Sequence, residues 1–342
     1  MKQTFSSLAG LATAVVGVVI WAMTLAIATP AADNVRPVSD FSPDLLLIWA
    51  HELREAALLL TVCGFLLFVQ RFRGALAISV LAGVLLFIGD FFLDAKNVSG
   101  IGPMFSVIGG AGVIGVIAFG LIPLTDELDQ RLIERRRASL AVFAAFCAPV
   151  VLFNSQWSFV TDSDAVPWQF LAGTAIVAVG FAALSAASAA TATSRYWALA
   201  VPAVMTAVSI AGLFGAPTQL GVGLSLPFAA LATVAVRRNG WLHKFTSTRT
   251  VIAGSLAAVA FAVPVILVAL VPANVLGGWF LAALHEEIPS DGLPYLPGAL
   301  IVAILVSVAI MRTRQNTAPP RVGDAPNSGE KNDSKLIAPS SV

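Results

Sequence analysis

Long runs of apolar residues alternate with short polar segments along almost the whole chain, and this alternation predicts ten membrane-crossing helices. A hydrocarbon core of about 30 Å needs about 20 apolar residues at 1.5 Å each. The runs place spans near 8–29, 47–70, 74–95, 102–124, 139–160, 168–190, 196–214, 221–236, 250–272 and 295–311. The eighth and tenth are short and bounded by Pro or Gly. From Gln315 onward Pro, Ser, Asn, Asp and Lys dominate, which predicts a disordered tail over 315–342.

Composition agrees with this pattern. The chain is 58% hydrophobic and 11% charged, with a mean hydropathy of +0.87, far from the balance of a water-soluble domain. Within a bilayer every backbone group must be bonded internally, and runs of this length satisfy that requirement as helices rather than barrel strands. The expected fold is an all-α polytopic membrane protein, divisible into five plus five spans of opposite orientation, and the expected location is the cell membrane.

Charge sets the expected orientation. Seventeen of the twenty Lys and Arg residues fall at the N-terminus, in alternate loops or in the tail, leaving Arg36, Arg54 and Lys96 for the other face. The positive-inside rule therefore puts both termini in the cytoplasm. A rival reading of the first span is a cleaved signal peptide, since Lys2 precedes an apolar run that ends Ala26-Ile27-Ala28. The run from Leu8 is longer than the 7–15 residues of a typical signal core, and retention is the expectation.

Candidate chemistry lies where ionisable groups are expensive. The second span opens Ile48-Trp49-Ala50-His51-Glu52-Leu53-Arg54-Glu55, and helical spacing places His51, Arg54, Glu55 and Leu58 on one face. Asp90 and Asp94 lie one turn apart at the outer end of the third span, followed by Lys96. Two readings compete. In one, 45–55 is a solvated helix end with Arg54 paired to Glu55 or Asp94. In the other, Glu55 and Asp90 are buried carboxylates that bind substrate or exchange protons. A metal site joining His51, Glu52, His285 and Glu286 would require distant loops to converge. Asn154 and Gln156, shortly after Pro149, are further substrate-pocket candidates.

Other features concern packing. Gly109, Gly110, Gly112, Gly115 and Gly120 in the fourth span, and Thr174, Ala178, Ala182, Ala186 and Ala190 in the sixth, predict close helix approach. Pro149, Pro202, Pro227 and Pro264 each remove one helical hydrogen bond, and interrupted helices of this kind also serve transporters at the bilayer midplane. Cys63 and Cys147 fall inside spans and are expected to be apolar packing residues. The spacing of the three histidines disfavours haem, no phosphate-cradling Gly loop, Ser-His-Asp set or zinc spacing occurs, and no cofactor is expected.

Ten short helices with both termini inside resemble the drug/metabolite transporter superfamily of EamA-type permeases. Arg54-Glu55-Ala56-Ala57-Leu58-Leu59-Leu60 resembles that family's second helix, and Phe91-Phe92-Leu93-Asp94-Ala95-Lys96 resembles its third-helix ending. Glu127 follows the fourth span, and Glu286 and Glu287 precede the tenth with its Gly298, where the family often carries Glu. The fifth span lacks the family's glycine and the fourth its central proline, so only Arg54 and Glu127 are positional matches. The resemblance implies a secondary carrier for a small metabolite or drug, often driven by protons.

Two other classes compete with a carrier. A membrane-embedded transferase would use Asp40 and Asp44 of Asp40-Phe41-Ser42-Pro43-Asp44 in the first outer loop to hold a divalent cation, although Asp40 and Ser42 are better suited to capping a helix that begins near Pro43. A non-catalytic scaffold or assembly protein would use the mixed-charge stretch Thr125–Ser139 at the headgroups. The expected partners are the bilayer, an unidentified small molecule, and a second copy or a membrane complex. The basic loops are explained by topology and give no case for nucleic acid.

Overall fold

A computed structural model describes residues 2–33, 43–123, 126–154, 168–189 and 192–212. Among these residues the chain is all-helical: α1 (Lys2–Met23), a π-turn (Thr24–Ala28), α2 (Thr29–Asp33), α3 (Pro43–Val69), α4 (Ala75–Asp94), α5 (Ile101–Gly120), α6 (Gln130–Asn154), α7 (Trp168–Ser188) and α8 (Ala192–Gly212). Seven long helices overlie the first seven predicted spans in order. The spans at 221–236, 250–272 and 295–311 and the tail at 315–342 lie outside the described residues.

Among the described residues four stretches, Phe5–Ala32, Ala75–Asp94, Ile101–Gly120 and Gln169–Ser188, are long and apolar enough to cross a bilayer. Their outward faces are apolar as well. Phe5, Leu8, Leu11, Val15 and Val19 form an exposed stripe on α1, as do Leu81, Val84, Leu85, Ile88 and Phe92 on α4 and Val113, Val116 and Ile117 on α5. Water would penalise such surface at about 25 cal/mol per Å², whereas lipid tails do not.

The core is built where α1, α3 and α7 meet, around Ile20, Trp21, Leu25, Trp49, Leu53, Leu60, Phe170, Val177 and Phe181. Close approach there depends on small residues. A Cβ on Gly10 would stand 2.7 Å from the Gly64 carbonyl oxygen, one on Gly17 2.6 Å from the Ala57 carbonyl oxygen, and one on Gly64 2.6 Å from the Ala14 nitrogen. These pairings make α1 and α3 antiparallel. On the other side Gly173 packs on Leu53 and Gly180 on Leu60, so α7 runs parallel to α3. Trp49 Nε1 donates to Thr174 Oγ1 at 2.9 Å, and its ring lies 5.5 Å from that of Phe170.

The small residues of the two predicted stripes behave differently. Thr174, Ala178 and Ala182 are buried. On α5, by contrast, a Cβ added at Gly109, Gly110, Gly112, Gly115 or Gly120 would meet no described atom within 4 Å. The expected tight packing of α5 through its glycines is therefore absent among the described residues, because α5 turns that face outward.

Proline leaves legible marks. Pro30 has no N–H, so the Ala26 carbonyl one turn earlier loses its helical donor; the Gly100 N–H supplies one at 2.8 Å. Gly100 sits at φ +100°, which favours glycine, and precedes α5. The Thr29 hydroxyl donates to the Thr24 carbonyl at 2.9 Å across the π-turn. Helix therefore continues through Ala26-Ile27-Ala28, where Ala26 and Ala28 are buried. The helices α6 and α8 likewise continue across Pro149 and Pro202.

One end of the bundle is tied together by its loops. The Arg73 N–H donates to the Asp126 carbonyl at 2.9 Å and the Leu128 N–H to the Arg71 carbonyl at 2.8 Å. Arg136 on α6 donates to the carbonyls of Gln70 and Phe72 at 3.2 and 2.9 Å, satisfying backbone just past the C-terminus of α3. Arg71–Glu127 and Arg73–Asp126 are exposed surface pairs of small energetic weight.

A buried Arg54 carboxylate cluster as candidate functional site

At the opposite end of the bundle, α3 carries Glu52, Arg54 and Glu55 inside an otherwise apolar run. Arg54 is the decisive residue, because its side chain is only 2% exposed and a buried guanidinium needs anionic partners. Those partners come from α4, which runs antiparallel to α3 with Gly83 packed on Val62. Arg54 Nε donates to Asp90 Oδ1 at 3.0 Å and a terminal nitrogen to Asp90 Oδ2 at 2.8 Å, a two-pronged pair. The other terminal nitrogen donates to Asp94 Oδ1 at 2.5 Å.

The third wall is α1. Trp21, itself 2% exposed, donates its indole N–H to Asp90 Oδ1 at 2.6 Å. Asp90 is thus held by three donors from two helices. Asp94 closes α4 and is less enclosed, with 29% of its side chain exposed, and His51 Nε2 stands 3.7 Å from its Oδ2 with 48% of the imidazole exposed. The cluster grades from a dry interior at Arg54 and Asp90 to an accessible edge at Asp94 and His51.

Of the sequence candidates, the structure brings together His51, Arg54, Asp90 and Asp94. Glu55, on the same α3 turn, is partly buried and within electrostatic reach of Asp90 and Arg54. Arg54 does not sit on a solvated helix end; the sequence pairing with Asp94 is present, while the principal partner is Asp90 rather than Glu55. Asn154 ends α6 and its side chain lies outside the described residues, as do Gln156, Asp40, His285 and Glu286. Trp21 escaped the sequence reading. Its signal was an indole N–H in the middle of an apolar span, which needs an acceptor when buried.

The arrangement can do limited chemistry. One guanidinium faces two carboxylates, so the trio carries a formal charge of −1, and the His51 imidazole stands at its accessible edge. Among the described residues no group of three or more His, Cys, Asp or Glu is placed to hold a metal ion, and Cys63 and Cys147 are buried free thiols. No family model matches the sequence, and comparison with curated proteins and with solved structures finds no match.

Proposed function

We propose that the protein is a secondary carrier for a small metabolite or drug, coupled to protons through the Arg54–Asp90–Asp94 cluster. The observation that carries this reading is the buried Arg54 held between Asp90 and Asp94, with access from one end of the bundle past His51. Ionisable groups packed between apolar helices are costly and mark ion or substrate paths in membrane proteins. A guanidinium shared by two carboxylates can exchange partners as one of them takes up a proton, so the cluster has two charge states and a route to the water. Both termini are read as cytoplasmic, which puts the cluster on the outer side and agrees with a 5+5 carrier of the EamA type.

A scaffold reading draws on a different observation, the outward apolar face of α5 with its line of glycines. Ligand binding separates the two. The detergent-purified full chain is heated with a panel of metabolites, antibiotics and divalent ions at mildly acidic and neutral pH. A carrier is stabilised by a small organic solute, by about 2.7 kcal/mol at a hundred times its Kd, and Asp90→Asn abolishes that stabilisation. Stabilisation by no solute at either pH, or by a solute equally in Asp90→Asn, contradicts the carrier reading.

A further inference from the structure

The end of the bundle opposite the Arg54 cluster holds a group of buried polar atoms without hydrogen-bond partners among the described residues. Ala141 and Ala145 of α6, Ala198 of α8 and Ala189, just past α7, pack together in one small apolar cluster. Arg137 lies one turn before Ala141, Ser188 beside Ala189, and Arg195 one turn before Ala198. The three therefore stand at the same level where α6, α7 and α8 meet. One terminal nitrogen of Arg137 donates to the Ala187 carbonyl at 3.2 Å. The Nε of Arg137, the Nε of Arg195 and the Oγ of Ser188 are buried and have no hydrogen-bond partner among the described residues.

Neither guanidinium forms an ion pair among the described residues, and guanidinium groups cannot satisfy each other, since both only donate. Burial first, and then the charge of Arg195, push the Arg137 guanidinium below its ordinary pKa, while Glu134 opposes the shift. A buried donor without an acceptor is costly, and more so when it carries charge. Donors of this kind call for an acceptor with negative charge and several oxygens.

The surroundings indicate the depth at which it would lie. Tyr196 follows Arg195 and is 69% exposed, with the Trp197 ring 6.2 Å away edge to face. Aromatic residues of this kind sit at the headgroup level of a bilayer. Leu132 and Leu199 are exposed apolar neighbours in sequence to either side of the basic pair.

We propose that Arg137, Arg195 and Ser188 form a phosphate-binding site at the α6–α7–α8 end of the bundle, occupied by the headgroup phosphate of an anionic phospholipid or by soluble phosphate. The planar guanidinium fork matches phosphate oxygens, and basic pockets between membrane helices are suited to anionic headgroups. This site stands apart from the carrier reading and does not rest on it.

The experiment measures thermal unfolding of the full-length protein in detergent while phosphatidylglycerol, phosphatidylcholine or sodium phosphate is added at constant ionic strength. Phosphatidylglycerol is expected to raise the unfolding temperature saturably, and phosphatidylcholine, whose choline neutralises the headgroup, far less. In Arg137→Gln/Arg195→Gln the half-saturating concentration rises by about tenfold or more, as loss of charge-assisted bonds requires. Arg71→Gln/Arg73→Gln, at the same end but already ion-paired, leaves the response unchanged. If the double variant does not fold, Arg195→Gln alone carries the comparison. A response to sodium phosphate alone, lost in the same variants, assigns the site to soluble phosphate and overturns the lipid source. No response to either, or an equal response in the variants, overturns the site.

Discussion

Replacing Arg54 by Met is expected to destabilise the protein by about 3–5 kcal/mol, because it leaves Asp90 buried with its charge uncompensated. Among the described residues Asp90 would keep only the Trp21 indole as a donor, and Asp94 would lose its 2.5 Å bond while retaining access to water. The size of the effect comes from the orphaned carboxylate rather than from the worth of the pair. Arg54→Met/Asp90→Asn should therefore be more stable than Arg54→Met alone, since the second change removes the buried charge. Unfolding curves of the two variants and the wild type in one detergent check this non-additivity. A surface-type pair would instead show losses below about 1 kcal/mol that simply add.

The second large effect is expected at Gly64. A Cβ there would stand 2.6 Å from the Ala14 nitrogen and 2.7 Å from the Gly10 carbonyl oxygen. Both are backbone atoms of α1 and cannot swing away, so the helices must part. Overpacking of this kind costs about 1–3 kcal/mol for one methyl group, and Gly64→Leu should cost more. Parting α1 from α3 also draws Trp21 off Asp90, so the same substitution weakens the ion cluster one helical stretch away. The control is Gly112→Ala on α5, where no described atom lies within 4 Å of the new Cβ. There the gain in helix propensity should leave stability unchanged or raise it by up to about 1 kcal/mol. Equal losses at the two glycines would contradict the packing described for α1 and α3.

Both predictions turn on contacts between helices, and this is where the sequence was least informative. The apolar runs located the seven long helices because length and hydropathy are properties of one segment at a time. Their ends were less legible: α6 begins at Gln130, well before the apolar run at 139, since Arg131, Glu134 and Arg135 are comfortable in an exposed helical turn that hydropathy does not register. Helical spacing also placed Asp90 and Asp94 on one face of α4 and Arg54 with His51 on one face of α3. It could not choose among the partners of Arg54, because a face known only on its own helix says nothing of how that helix is rotated against its neighbour. The rotation of α3 is set by Gly10, Gly17 and Gly64 against α1 and by Gly83 on Val62 against α4, small residues whose significance appears only when two helices are read together. The α5 glycines show the converse, a more conspicuous stripe that meets no described neighbour.

The central claim is that proton movement through the Arg54 cluster is linked to passage of a solute. The most direct measurement uses proteoliposomes containing a trapped pH-sensitive dye and the full chain, to which the stabilising solute from the thermal screen is added without any imposed gradient. Solute entry accompanied by a change of internal pH in the wild type, with both solute uptake and pH change lost in Asp90→Asn although that variant remains folded, is the predicted result. Solute entry without a pH change, or an unaltered pH response in Asp90→Asn, would contradict it.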